Sequence, residues 1–525
     1  MPTTRRDFVR HLGALGAALL ATREASAQNS ATPAPAAAPA QPRFGYDDVV
    51  RRARDLAGVP YDSTVPALPE QLAKLDFDGY RDIRFRADKA LLGGNGGPFR
   101  MQMFHPGFLF TRPVVVNVIR DGIPAPVPYS ASLFDYGKNK FDRQLPVNLG
   151  FAGFRLHYPL NDPKVQDELI SFIGASYFRF LGRHQRYGLS ARGIAIGVGD
   201  QEEFPAFKEF WIEQPAQDAD RAVVYALLDG PSLTGAYQFF VYPSAQTVVD
   251  VTMTIFPRKP VQRIGIAPLT SMFFVGENDR RFNGDFRPEL HDSDGLLMHT
   301  GAGEWIWRPL RNPAEISFSA FLDNNPRGFG LMQRDRTFEH YQDLDLAYEM
   351  RPSYWVEPRG EWGEGRIELV EIPTGDESND NIVAYWTPKA TPEPGQTLVW
   401  GYRILAVTED FALHPGGVAH NTWQTASKAL GSPEPAAPGT RRFIIDFDGG
   451  DLAYFLGDPD KVQIVPSVSN GRIVRTWLVP NPKTEGFRAG IDIALDKGQS
   501  ADVRAFLRSG NRALTETWTF PWKAE

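Results

Sequence analysis

Residues 285–310 read DFRPELHDSDGLLMHTGAGEWIWRPL and bring acids and large aromatic side chains into one short span. Two acids, Asp292 and Asp294, are closely spaced, and two indoles, Trp305 and Trp307, are one residue apart. Alternation along a strand would place both indoles on one face. Indoles can cover the apolar faces of sugar rings, and carboxylates can transfer protons. The stretch therefore indicates a site that holds and cuts a sugar chain.

The chain on either side of this stretch is typical of a mainly β protein. Short segments rich in β-branched and aromatic residues alternate with Gly, Pro, Asn and Asp, and examples are 114–120, 237–242, 248–256, 315–321 and 366–372. Many short strands with frequent turns favour a β-sandwich or barrel over alternating strand–helix units. Helical spacing of apolar residues predicts a helix over 46–57, and shorter helices are expected at 70–75 and 165–173.

The length of 525 residues favours two domains, because it exceeds what one hydrophobic core usually holds. The Pro/Gly-rich segment 387–397 predicts a linker between an N-terminal domain, 44–386, and a C-terminal domain, 398–525. About seven strand-like segments in the second part match an immunoglobulin-like sandwich; they are 398–407, 443–447, 462–468, 472–479, 487–495, 501–507 and 513–520. The polar insert 426–440 is too long for a tight hairpin, and we expect it to reach the groove of the first domain.

Composition excludes several classes of function. The formal charge of −7 and the lack of a basic run disfavour nucleic acid as a partner, because phosphate binding needs clustered Lys and Arg. The absence of Cys excludes disulfides, thiolate nucleophiles and Cys-ligated metals. A metal site built from His291, Asp292 and Asp294 is disfavoured, because a hard cation usually has further oxygen ligands at fixed spacing. We therefore expect no metal and no cofactor.

The N-terminus predicts export. An arginine pair, Arg5 and Arg6, precedes an apolar run at 12–20 and small residues at 25–27. The run is about half of the ~20 residues that a membrane-spanning helix needs, so residues 1–27 are predicted to be a signal peptide. The pair resembles a twin-arginine signal, and a general secretory signal with an incidental arginine pair is the alternative. Residues 28–43 are Ala/Pro-rich and read as a linker. The expected destination is the periplasm.

Five long runs resemble the family of osmoregulated periplasmic glucan biosynthesis proteins G and D; they are 204–211 (FPAFKEFW), 264–278 (IGIAPLTSMFFVGEN), 285–310, 354–363 (YWVEPRGEWG) and 369–385 (LVEIPTGDESNDNIVAY). The resemblance implies a large galactose-mutarotase-like β-sandwich followed by a smaller immunoglobulin-like β-sandwich. It also implies a role in shaping the backbone of periplasmic β-1,2-glucan, and glycoside hydrolase activity on that polymer. A homodimer is compatible with it.

The resemblance also implies two catalytic acids. Asp380, in the polar turn ESNDN, matches the family's general acid, although without the family it reads more simply as an exposed loop acid. A general acid must keep its proton, and the neighbouring charge of Glu377 is one way to achieve that. Asp292, in HDSDG, matches the position on the water side, where it acts directly or through a relay of hydroxyls and water. The family's chemistry implies inversion, for which the two carboxyls stand about 6.5–9.5 Å apart.

Other residues are expected to bind the glucan. Sugar-stacking candidates are the aromatic residues Trp305, Trp307, Tyr354 and Trp355, for which packing in a sandwich core is the alternative. Arg308 and Arg351 could donate forked hydrogen bonds to hydroxyls or orient the acids. Asp294 is the rival of its neighbour as base, or else it caps a turn or holds Arg308. His291 is expected to orient the base.

Three functions are compatible with these residues. The first is an endo-acting β-1,2-glucanase that works with inversion. The second is a transglycosylase that uses the same acid but a sugar hydroxyl in place of water, and so trims or cyclises the glucan. The third is a scaffold that binds the β-1,2-glucan chain without cutting it.

Overall fold

A computed structural model describes residues 43–141, 144–280, 284–408, 413–428, 431 and 433–524. Within these residues the α-helices are α1 Tyr46–Ala57, α2 Glu70–Ala73, α3 Phe77–Asp82 and α4 Phe338–Tyr341. Apart from short 3-10 turns, the other regular elements are strands: β1 Arg84–Phe85, β2 Arg100–Phe104, β3 Val115–Arg120, β4 Ile123–Pro126, β5 Phe134–Asp135, β6 Gly153–Tyr158, β7 Asp167–Ile173, β8 Tyr177–Phe180, β9 Ser190–Arg192, β10 Ala195–Ile196, β11 Ala206–Glu213, β12 Ala222–Asp229, β13 Leu233–Tyr242, β14 Val248–Pro257, β15 Ile264–Ser271, β16 Phe273–Val275, β17 Leu290–His291, β18 Gly295–His299, β19 Trp305–Pro309, β20 Ser317–Asn324, β21 Gly328–Met332, β22 Ser353–Arg359, β23 Glu364–Glu371, β24 Ile382–Pro388, β25 Leu398–Val407, β26 Val418–Thr425, β27 Thr440–Asp448, β28 Gln463–Val468, β29 Arg472–Asn481, β30 Gly486–Ala494, β31 Ser500–Ser509, β32 Arg512–Ala513 and β33 Thr517–Lys523. The prediction of a mainly β fold is confirmed.

Two of the three predicted helices are present. In α1, which has the predicted bounds, Val49 and Ala53 are buried against a small cluster that includes Trp211. Helix α2 is shorter than predicted. The helix predicted over 165–173 is wrong, because these residues form β7, which pairs with β6 on one side and β8 on the other. Pairing on both sides buries Leu169 and Ile170 and outweighs the local helical pattern.

Two large sheets enclose the main core and form a β-sandwich. One sheet has ten strands, in the order β2-β6-β7-β8-β9-β15-β24-β23-β20, with β10 beside β15. The other has fifteen strands, in the order β28-β31-β33-β19-β18-β21-β22-β25-β14-β13-β12-β11-β3-β4, with β32 beside β31. Aromatic side chains meet between the two sheets, where Phe172 of β7 contacts Phe239 of β13 with ring centroids 5.1 Å apart.

A second sandwich lies at one end of the fifteen-stranded sheet. The four-stranded sheet β26-β27-β30-β29 packs there, and Phe443 of β27 lies 5.6 Å from both Trp518 and Phe520 of β33, measured between ring centroids. This end of the large sheet is therefore covered on both faces. On β18, Leu296 belongs to the first core and Leu297 to the second. Strands buried on both faces read as continuous apolar runs.

The domain boundary at 387–397 stays a prediction. Strand β25, which the sequence assigns to the second domain, pairs with β14 and β22 inside the fifteen-stranded sheet. The predicted signal peptide 1–27, the predicted linker through residue 42 and residues 429, 430 and 432 of the insert lie outside the described residues. In the part of the chain that the structure describes, no helix has both the length and the apolar character needed to cross a membrane.

Candidate active site

Asp380 is an exposed acid in the loop between β23 and β24. Its side chain is 32% exposed, and its Oδ2 lies 3.6 Å from the guanidinium of Arg179 on β8. The Nε of Arg179 donates a hydrogen bond to the hydroxyl of Ser190 at 2.6 Å. The next residue, Asn381, is buried, and its amide donates to the carbonyl of Phe273 at 3.0 Å. The loop therefore presents Asp380 to solvent from a fixed position.

Asp292 follows β17 and is held by its backbone and by one arginine. The residue is 4% exposed, and its N–H donates to the carbonyl of Met272 at 2.8 Å. Its carboxylate accepts a hydrogen bond from the guanidinium of Arg351. That guanidinium lies over the ring of Tyr348, 3.8 Å from the centroid. Asp292 is thus a nearly buried carboxylate in an ion pair.

Arg351 interacts with both predicted catalytic acids. It contacts Asp292 directly, as described above, and its Nε has no hydrogen-bond partner among the described residues. Burial is the main reason that the pKa of Arg351 is lowered to about 10, and the charge of Arg179 adds to this effect. The charges of Glu377 and Asp380 oppose it. The structure therefore brings Asp292, Arg351, Glu377 and Asp380 into one electrostatic group.

Glu377 belongs to a set of acids paired with arginine. It accepts hydrogen bonds from the hydroxyl of Tyr348 at 2.8 Å and from Arg287 at 3.0 Å. Arg287 also forms ion pairs with Asp285 and Asp343, both at 2.7 Å, and it lowers the pKa of Asp285 to about 2. We name these four charged residues, Asp285, Arg287, Asp343 and Glu377, the outer cluster. Glu377 is paired and is not the uncompensated like charge expected beside the catalytic acid.

A second group of titratable residues flanks Asp292 in the chain. His291 Nε2 lies 3.0 Å from Glu289, and His291 Nδ1 lies 3.2 Å from Asp294. Burial alone would lower the pKa of His291, but Asp294 and Glu289 raise it to about 9. Burial raises the pKa of Asp294 to about 6 and that of Glu277 to about 8. We name Glu277, Glu289, His291 and Asp294 the inner cluster.

The inner cluster corrects two predictions. The imidazole of His291 contacts Glu289, Asp294 and the amide oxygen of Gln333, and not the carboxylate that it was expected to orient. Asp294 accepts a hydrogen bond from the N–H of Asp335 at 2.8 Å and caps the chain there. It does not hold Arg308, which pairs with Glu371, but its side chain is 14% exposed and it stays the rival of Asp292 as base.

Arg308 is part of the core and not of the sugar site. It is 1% exposed and forms an ion pair with the buried Glu371 at 2.8 Å. Its guanidinium lies 5.5 Å from the ring centroid of Phe520. Because no face of Arg308 is open, it cannot bind a ligand in this structure.

Three of the four predicted aromatic platforms are also core residues. Trp307 and Trp355 are 2% and 3% exposed, and Tyr354 is fully buried, because β19 and β22 lie in the part of the large sheet that is covered on both faces. Trp305 is half-buried and stacks on His299, with ring centroids 4.1 Å apart. It lines a separate cavity of about 440 Å³. The packing alternative therefore describes Trp307, Tyr354 and Trp355, whereas Trp305 stays a candidate for stacking on a sugar.

Several residues at the site were missed from the sequence. Arg179 and Tyr348 gave no local signal, because only the fold brings them to the acids. A cavity of about 650 Å³ adjoins the outer cluster and is lined by 284–287 and 342–345. Phe286 and Leu344 on its two sides are 78% and 85% exposed. The signal that could have marked this cavity is one apolar residue among charged neighbours, Phe286 in GDFR and Leu344 in QDLD.

One group of described residues has the geometry of a metal site, but it is not the group of His291, Asp292 and Asp294 that the sequence disfavoured. Donor atoms of Glu289, Asp335 and His340 lie within 4.8 Å of one another. These atoms already have protein partners, since Glu289 contacts His291 and Asp335 contacts His340. The contacts account for the group without an ion.

The fold and this site define a mainly β protein in which a nearly buried carboxylate, Asp292, is paired with Arg351 and an exposed carboxylate, Asp380, lies 3.6 Å from Arg179. The family model described as periplasmic glucan biosynthesis protein, MdoG, matches residues 44–522. The chain is 45% identical to glucans biosynthesis protein D of Stenotrophomonas maltophilia over 99% of this chain and 97% of the relative. It is also 45% identical to glucans biosynthesis protein G of Ralstonia nicotianae over 92% of this chain and 97% of the relative.

The identity extends to other bacteria. Glucans biosynthesis protein D of Xanthomonas campestris is 44% identical over 99% of this chain and 98% of the relative. The chain belongs to the periplasmic glucan biosynthesis protein family. Membership assigns it to the biosynthesis of periplasmic glucans and supports a periplasmic location.

Proposed function

We propose that this protein is a periplasmic glycoside hydrolase that cleaves β-1,2-glucan within the chain and inverts the anomeric centre. The observation that carries the proposal is that Arg351 contacts Asp292 and also interacts with the charge of Asp380. Asp292 is nearly buried and Asp380 is exposed, and the charge of Asp380 acts to raise the pKa of Arg351. A pair of carboxylates is what hydrolysis of a glycosidic bond requires.

Asp380 is the general acid in this proposal. Its exposure at 32% allows a polymer to reach it, and proton donation to the leaving oxygen needs direct contact. Arg179, 3.6 Å away, can hold a neighbouring sugar hydroxyl or position the acid. The leaving oxygen takes the proton as the glycosidic bond breaks, so Asp380 ends the step as a carboxylate.

Asp292 takes the proton of the attacking water. The ion pair with Arg351 fixes the orientation of its carboxylate, and its side chain keeps 6% exposure. That small opening suits contact with one water or with a short relay of hydroxyls. Attack from the side opposite the leaving group inverts the anomeric centre, so the product is the α-anomer.

The cavity beside the outer cluster suits a neutral polymer. One cation, Arg287, faces three acids, so this surface carries a net negative charge and does not attract an anionic polymer. Phe286 and Leu344 offer exposed apolar contact for the hydrophobic faces of glucose rings. These two residues take the role that the sequence assigned to the indoles.

The test is incubation of the purified protein with linear β-1,2-glucan, followed by chromatography and anomer analysis by NMR. We expect shorter linear products with a newly formed α-anomer. Replacement of the acid, Asp380→Asn, should lower the rate by roughly 10²–10⁴-fold. The matched control Asp220→Asn, at an exposed acid, should leave the rate unchanged.

Product mass separates the alternatives. Gain of one water for each bond cut supports hydrolysis, whereas products without added water would show that the same acid serves a transglycosylase. Glucan that stays intact with the wild-type protein would contradict both enzymes and leave the non-catalytic scaffold.

A further inference from the structure

A cavity of about 540 Å³ lies between the inner cluster and the second sandwich. One wall comes from the acid-rich stretches and includes Glu277, Glu289 and His340, and the other comes from β26, β29 and the turn after it, and includes Trp423, Asn481 and Thr484. Its size is within the range of small-ligand sites, about 300–1,000 Å³. We name it the Trp423 pocket. The proposed chemistry does not use it.

The indole of this pocket is held in place from one side. Trp423 is half-buried, and the guanidinium of Arg488 lies 5.2 Å from its ring centroid. Arg488 is itself fixed by two hydrogen bonds to Asp446, both at 2.7 Å. A pre-positioned indole in a cavity is a feature of sites that bind flat apolar surfaces, and the face of a pyranose ring is such a surface.

The polar lining is suited to hydroxyl groups. The Oγ1 of Thr484 is buried and has no hydrogen-bond partner among the described residues. Glu277 and Glu289 offer acceptors, and Lys483 offers a donor. A buried hydroxyl without a partner costs free energy, so a ligand that bonds to it is stabilised.

The acids of the pocket are paired within the protein or uncharged. Asp446 is paired with Arg488, and Glu289 is paired with His291. Burial raises the pKa of Glu277 to about 8, so this acid is uncharged at neutral pH. The remaining charges, on Arg280 and Lys483, are exposed to solvent. A ligand therefore does not need to supply a charge to the buried wall, and a neutral ligand with many hydroxyls fits this lining.

We propose that the Trp423 pocket is a second carbohydrate-binding site that holds a segment of glucan away from the cleavage site. The choice of β-1,2-linked glucose as the ligand rests on the proposed function. The second site keeps a long chain on the protein while another segment is cleaved. Short oligosaccharides that fill only the cleavage site gain no affinity from the second site.

The binding test uses isothermal titration calorimetry with short linear β-1,2-glucan oligosaccharides, each able to fill only one site, on the Asp380→Asn protein, which does not consume the ligand. We expect two binding sites per protein molecule, and the additional change Trp423→Ala should remove one of them. Thr484→Val, which keeps the shape of the side chain and removes its hydroxyl, should weaken the same site by about 5–10-fold. Trp477→Ala, at a half-buried indole outside the pocket, is the matched control and should keep both sites.

The kinetic test uses proteins that keep Asp380. Trp423→Ala should raise KM for the long polymer about 5–10-fold and leave kcat/KM for the shortest cleaved oligosaccharide unchanged. Equal binding of glucan by the Trp423→Ala and parent proteins would overturn the inference. A measurable heat of binding for Ca²⁺ or Zn²⁺, with none for glucan, would overturn it as well. Binding that depends on Trp423 in a protein that cuts no glucan would uphold the second site and reject the proposed hydrolase alone.

Discussion

The outer and inner clusters each contain three acids and one basic residue, but the basic residue is an arginine in the outer cluster and a histidine in the inner one. In the outer cluster Arg287 pairs with Asp285, Asp343 and Glu377 at 2.7–3.0 Å. In the inner cluster the acids surround His291, and burial raises the pKa of several of its members. Arginine keeps its charge at every physiological pH, whereas histidine does not. The outer cluster is therefore insensitive to pH, and the inner cluster is not.

Asp292 differs from its neighbours in the chain in the kind of residue that holds it. It lies between His291 and Asp294, yet its partner is Arg351, as in the outer cluster. Its neighbours take part in the pH-sensitive group behind it. The carboxylate that we propose to react is thus held by a permanent cation, while the titratable residues beside it have structural contacts.

The largest effect is expected when Arg351, the permanent cation, is replaced. Arg351→Gln leaves the nearly buried Asp292 without its partner, which should lower the free energy of unfolding by about 3–5 kcal/mol. It should also lower the rate of glucan cleavage by at least about 100-fold, because the base loses its orientation. Chemical denaturation and the cleavage assay measure the two effects.

The double variant Asp292→Asn with Arg351→Gln is the control for this prediction. It removes both charges, so much of the stability should return while the activity stays lost. Recovery of activity in the double variant would contradict the assignment of Asp292 as base. A single variant as stable as the wild type would contradict the ion pair.

The inner cluster should make stability fall as pH rises. The pKa of Glu277 is raised from 4.5 to about 8, so the folded protein holds a proton that the unfolded chain releases, and stability is lost between these values. The pKa of His291 is raised from 6.5 to about 9, so its contribution is complete below 6.5 and is lost as pH rises through 9. Calorimetry should show Tm falling by at least about 2 °C between pH 6.5 and 9.5.

Glu277→Gln sharpens this second prediction. Glutamine keeps an acceptor for the N–H of Thr422, which bonds Glu277 at 3.0 Å, but it cannot ionise. The fall in Tm up to pH 8 should become smaller, and the fall due to His291 should remain. The exposed control Glu361→Gln should leave the profile unchanged. A flat profile in the wild type would show that the inner cluster does not change its protonation with pH.

Much of the fold could be predicted from local pattern, and the failures have tertiary causes. Strands with strong alternation, such as β14 and β23, and the helix α1 with its regular apolar spacing were identified. Strand β7 was mistaken for a helix, because pairing on both sides is not visible in its local pattern. Strand β26 was missed, since its polar residues give little β signal until it pairs with β27.

The site also has residues that the sequence could predict and residues that it could not. The loop acid Asp380 and the stretch around Asp292 could be found from motifs and family resemblance, because both are continuous in sequence. The burial of the indoles Trp307 and Trp355 could not be predicted, because only the sheet order shows that both faces of their strands are covered. Arg179, on a strand far from either motif in the chain, had no signal of its own.

The smallest expected effect concerns the apolar edge of the outer cluster. Phe286 is 78% exposed beside the cavity next to Arg287, so Phe286→Ser should leave the fold intact. If its ring covers one glucose unit, loss of about 0.5–1.5 kcal/mol of contact should raise KM for the glucan roughly 2–10-fold with kcat unchanged. Tyr454→Ser, at an aromatic residue that is 84% exposed, is the matched control and should leave KM unchanged. Equal KM values for both variants would show that the polymer does not cross the outer cluster and would move its path to another side of Asp380.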